Sequence, residues 1–146
     1  MRTKHWSVDA RTNMRLAAVW LAMCAGITVL FPSVRLFVAL AIGGIGGVAF
    51  GSLQNRAIRA NPRAVREAKS ALAVRRAVMA VRPGAMAIRL QWFFGLTLFI
   101  LGLLGPPEGF MVVPLGGYFA LMLVRELVSY RALVWLESYE PSPATS

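Results

Sequence analysis

The stretch LFVALAIGGIGGVAFGSLQN, residues 36–55, runs for 20 residues without a charge. Coiled as an α-helix it would be about 30 Å long at 1.5 Å per residue, which matches the hydrocarbon core of a bilayer. Three more charge-free blocks stand around it: Leu16 to Phe31, Leu90 to Pro107, and Gly109 to Val124. The 146-residue chain is 58% hydrophobic and only 15% charged. Soluble domains carry about a quarter charged residues, so four such blocks would leave too little polar surface to dissolve this one. The expectation is an all-α polytopic membrane protein. Four transmembrane helices form two hairpins, with a basic cytoplasmic helix between them.

The segments follow from the same blocks. Residues 1–15 are a basic arm with Arg2, Lys4, Arg11 and Arg15, and Trp6 placed for the headgroup level. Residues 16–53 are the first hairpin, 54–89 a basic segment, 90–124 the second hairpin, and 125–146 a helix end and polar tail, all within one membrane domain. Span one is short, about 24 Å from Leu16 to Phe31, and Met14 with the stem of Arg15 can lengthen it. Pro32-Ser33 breaks it, and span two follows from Val34 to Leu53. Arg35 excludes a hairpin that merely dips into the bilayer, since its charge would then lie near the midplane at a cost of at least ~2.5 kcal/mol. Span three runs from Leu90 to Gly105. The turn Gly105-Pro106-Pro107-Glu108-Gly109 leads to span four, which starts near Phe110. Its helix is expected to continue to about Glu137, leaving the interface at Arg125.

Charge fixes the orientation. Of 16 lysines and arginines, Arg35 alone falls on the far side of this arrangement. Cytoplasmic loops collect Lys and Arg, so both termini and the middle segment are expected in the cytoplasm of a bacterial inner-membrane protein. The net charge of +10 is thereby explained by topology. Nucleic acid is not indicated, because no aromatic residues interleave the basic run to stack on bases. The N-terminal block has a long polar lead and no small-x-small cleavage site, so it reads as an uncleaved span. Met23 is too large to precede a lipidated Cys24.

Two constellations stand out. Gly43, Gly47 and Gly51, with Ala39 in register, place four small residues on one face of span two, where a neighbouring backbone can approach closely. Span one offers a matching face of Ala18, Ala22 and Gly26, and span four a shorter one of Gly116 and Ala120. Spans one and two are expected to pack through these faces, or to present them to a partner or a second copy. Gly44 and Gly46 point elsewhere on span two. The middle segment reads as one helix from Pro62 to Arg82 with two apolar stripes, Val65/Ala68/Leu72/Met79 and Ala71/Val74/Val78/Val81. Its basic residues Arg63, Arg66, Lys69, Arg75, Arg76 and Arg82 are candidate contacts for anionic lipid or a protein partner.

The rest of the chemistry is sparse. His5 and Cys24 cannot assemble a metal site, and no cofactor motif is present. No acid is expected in a span core, and no nucleophile–base arrangement is visible, which points away from catalysis and from ion-coupled transport. Arg125 and Glu126 are expected to snorkel to water without pairing, since sequence neighbours on a helix point about 100° apart. The expected role is a non-enzymatic structural or accessory subunit of an inner-membrane assembly. A small homo-oligomeric pore of channel or holin type, and a membrane module of a multi-part exporter, are the alternatives.

Overall fold

The computed structural model describes residues 10–107 and 110–140. The arm with His5 and Trp6, the turn residues Glu108 and Gly109, and the tail 141–146 lie outside these. Among the described residues the chain is helical and has no strand. Its elements are α1 (Ala10–Leu30), α2 (Val34–Ala60), α3 (Pro62–Glu67), α4 (Ala71–Met79), α5 (Arg82–Leu103) and α6 (Val112–Ser138). Four of them, α1, α2, α5 and α6, are long and apolar enough to cross a membrane. This is the multi-pass helical fold expected from the charge-free blocks.

The helix ends differ from the hydropathy ends, for a physical reason. Hydropathy marks where lipid begins, whereas Arg11, Asn13 and Arg15 are as helical as their neighbours. So α1 starts at Ala10 rather than Leu16, and its 21 residues give about 31 Å, removing the shortfall of span one. Pro32, which has no N–H to donate, closes α1. Ser33 then caps α2, its hydroxyl accepting from the Leu36 N–H at 3.1 Å. At the other hairpin α5 begins at Arg82, with Pro83 in the first turn where its missing donor costs nothing.

The middle segment is two helices, not the single one expected over Pro62–Arg82. The backbone turns extended at Ala68 (φ −62°, ψ 126°), and Ser70 restarts the helix by accepting from the Ala73 N–H at 3.1 Å. The break lets both halves face the bundle. Val65 of α3 and Val78 of α4 join Ala57 and Ile58 of α2 and Ala132, Leu133 and Leu136 of α6 in one core. A straight helix would have carried one of these valines away. Asn61 pins the layer, its Nδ2 donating to the Ala77 carbonyl at 3.2 Å. The two apolar stripes are thereby redistributed: Leu72 and Met79 stay exposed while Val65 and Val78 are buried.

Packing departs from the expected pairing of spans one and two. The central pair is α2 with α6; α5 packs on α2 and to a lesser degree on α6, while α1 packs on α6. Helices α1 and α2 are joined by a three-residue turn yet barely touch, and so do α1 and α5. At the end of the bundle away from α3 and α4, Arg35 does not extend freely to headgroups. Its Nη2 donates to the carbonyls of Leu101 (2.8 Å) and Gly102 (3.4 Å), two of the acceptors left open at the C-terminus of α5.

Candidate functional site

The glycine face of α2 is filled from within the protomer. A Cβ placed on Gly43 would run into the Gly117 carbonyl of α6. One on Gly47 would lie 2.6 Å from the Leu121 carbonyl oxygen and 2.7 Å from Val124 Cβ, and one on Gly51 2.9 Å from Val128 Cβ. Ala39 is fully buried beside Leu98 and Val113. The partner of this face is therefore α6, not α1. The reason lies in α6 itself: Gly117 has no side chain to hold α2 off, and Leu98 of α5 takes the space left on its other side. A pore with this face at its axis would need it free, and α6 occupies it. Gly46 sits against the Phe94 ring, whereas nothing lies within 4 Å of a Cβ on Gly44.

Ala18, Ala22 and Gly26 are placed differently. All three are exposed, and a Cβ on Gly26 would meet nothing within 4 Å. Below them α1 is held by Ala10, Asn13 and Ala17, and by Trp20, which stacks on Phe119 and meets Tyr118 edge-on. Of the basic candidates, Arg63, Lys69, Arg75, Arg76 and Arg82 are exposed and Arg66 is half-buried. Leu72 and Met79 of α4 are exposed as well.

The structure adds a site that hydropathy hid. Glu126 is only 3% exposed. Its Oε1 pairs with Arg125 Nη2, and its Oε2 accepts from Asn13 Nδ2 of α1. The expectation that the two sequence neighbours stay apart and reach water is overturned. Glu126 points into the bundle, and the Arg125 side chain curls back to it, its guanidinium carbon 5.6 Å from the centre of the Phe50 ring. Around this pair, Ser129 donates to Gln54 Oε1 at 3.4 Å, and Asn55 Nδ2 donates to the Val128 carbonyl at 2.9 Å. Counting from Val112, Glu126 lies about 21 Å along α6, inside a ~30 Å hydrocarbon layer but on the side of the arginine-rich helices. An acid does therefore occur in a span, paired as membrane-buried ions are.

Asn13, Arg125, Glu126 and Ser129 form the floor of a groove of about 370 Å³ between α1 on one side and α4 with α5 on the other. Leu16, Ile88 and Met122 give it apolar walls, and Gln54, Arg75 and Gln91 add polar ends to the Arg125–Glu126 floor. Two buried atoms of this floor, Asn13 Oδ1 and Arg125 Nε, have no hydrogen-bond partner. One sequence signal for Glu126 existed: Glu126, Ser129, Leu133 and Leu136 recur at helical spacing on one buried face of α6. Among the described residues no group of three or more His, Cys, Asp or Glu could hold a metal ion. No protein-family model matches the chain, and comparison with curated proteins and with solved structures gives no match either.

Proposed function

We propose that this chain is a non-enzymatic accessory subunit of a bacterial inner-membrane assembly, with both termini and the α3–α4 layer in the cytoplasm. The orientation rests on the arginine asymmetry: among the described residues, Arg35 is the one basic side chain at the end away from α3 and α4. The observation that carries the role is α1. Only 11% of its apolar stretch is buried within the protomer. Its bare face repeats small residues every fourth position at Ala18, Ala22 and Gly26. A lipid-facing position gains nothing from being small, whereas a neighbouring helix gains close backbone contact. The face is therefore matched to a helix of another subunit, and α2–α6 is the rigid frame that holds it.

Ala22→Leu tests this. Leucine suits lipid, so insertion and the α2–α6 core are unaffected while close approach to α1 is blocked. Purified gently from its own membrane, the wild-type chain is expected in a complex with a different membrane protein, and the variant alone. A wild-type chain that runs as a monomer, or an Ala22→Leu variant that keeps the complex, would contradict the role. A closed homo-oligomer would turn the reading to copies of the chain itself.

A further inference from the structure

We infer that the groove between α1 and α4–α5 binds the headgroup of an anionic phospholipid, of the phosphatidylglycerol type, at the arginine-rich side of the membrane. Location is the first argument. Helix α1 packs on α6 and α5 mainly on α2, and α1 and α5 barely meet, so the groove lies beside the medium that surrounds the helices. In a multi-pass protein that medium is lipid. Apolar walls at Leu16, Ile88 and Met122 lead to the polar floor, as a glycerol backbone leads to its headgroup.

Charge is the second argument. The groove holds Arg75, Arg125 and Glu126, a net charge of one positive unit, and is complemented by one monoanion. Glu126 is already engaged on both oxygens, by Arg125 and by Asn13. What the floor lacks is an acceptor for Arg125 Nε and a donor for Asn13 Oδ1, the latter on a residue only 5% exposed. A phosphodiester bearing free hydroxyls supplies both: its anionic oxygens accept from arginine, and a hydroxyl donates to the amide oxygen. Phosphatidylcholine offers no such donor. Phosphatidylethanolamine offers one but brings no net charge. The volume suits a headgroup and its first carbons, with the acyl chains left in the bilayer. This inference does not depend on the partner proposed for α1, because it concerns the single protomer.

The test uses the full chain, delipidated in a neutral detergent, with short-chain phosphatidylglycerol, short-chain phosphatidylcholine and glycerol phosphate as probes. Native mass spectrometry counts bound molecules. One phosphatidylglycerol per protomer is expected, retained over phosphatidylcholine and over glycerol phosphate by about tenfold. Arg75 is exposed, so Arg75→Gln leaves the fold intact and is expected to weaken binding about fivefold, as one basic residue near an anionic headgroup does. Arg76→Gln, on the same helix but outside the groove, is expected to leave it unchanged. Equal retention of the two lipids, equal losses in the two variants, or glycerol phosphate bound as tightly as the lipid would overturn the inference.

Discussion

Replacing Gly47 by alanine, with Gly44→Ala as its twin, puts the α2–α6 contact to a quantitative test. Both positions lie mid-helix in α2. In a helix interior, alanine is favoured over glycine by about 1 kcal/mol, and this gain is common to the two variants. Their surroundings differ. A Cβ on Gly44 meets nothing within 4 Å, so only the gain remains. A Cβ on Gly47 lies 2.6 Å from the Leu121 carbonyl oxygen, about 0.9 Å inside the ~3.5 Å of comfortable contact. That oxygen is fixed in the α6 backbone and cannot swing aside, so the two helices must part. A gap of 0.5–1 Å forfeits roughly a quarter to a half of each dispersion contact along the seam. Overpacking costs about 1–3 kcal/mol in general, and two rigid backbones place this case near about 3. The net expectation is that Gly47→Ala is less stable by about 2 kcal/mol, while Gly44→Ala is unchanged or up to about 1 kcal/mol more stable. Reversible unfolding in mixed micelles with rising dodecyl sulfate, followed by helical circular dichroism, reads both. Equal stability of the two variants would mean that α6 does not lie on this face.

Glu126→Leu strips the acceptor from Arg125 and Asn13 and leaves a guanidinium, 22% exposed, without its partner. A loss of about 2–4 kcal/mol is expected in the same unfolding assay, and a clearly smaller one for Glu126→Gln, which can still accept from Asn13; parity between the two would argue against a buried ion pair. Arg35→Gln removes the donor to the Leu101 and Gly102 carbonyls and is expected to cost about 1–2 kcal/mol, read as a lower Tm in detergent. An unaltered Tm would place that guanidinium in solvent. Ser70→Ala removes the N-cap of α4 at about 1 kcal/mol, and faster tryptic cleavage after Lys69 and Arg75 is the expected sign. Unaltered cleavage would mean the cap is not formed.

What could be read from the sequence divides along physical lines. The four helices were legible because each is a local property: enough apolar residues in a row, closed by Pro32-Ser33 or by the Gly105–Pro107 turn. Pairing was not. Small residues at four-residue spacing occur on α1, α2 and α6 alike, and the longer matching face of α1 favoured it as the partner of α2. Choosing α6 depends on Gly117 and Leu98 fitting together across three helices, which no single segment reveals. The polar floor was missed because Arg125-Glu126 lowers hydropathy where a span could end, whereas the burial of Glu126 depends on Asn13, more than a hundred residues away in sequence. The break in the middle segment did have a local signal in Ser70, a good N-cap residue, which the alanine-rich composition around it obscured.

The four-span arrangement, with the groove and arginine layer on one side, is tested most directly by single cysteines in a Cys24→Ser background. Placed at Ser33 and Leu104, they are expected to react with a membrane-impermeant maleimide added to intact cells. Placed at Ser70 and Ser138, they are expected to react only after permeabilisation. Labelling of Ser70 from outside would invert the topology. Labelling of Ser33 and Leu104 on opposite sides would mean that the chain does not cross four times.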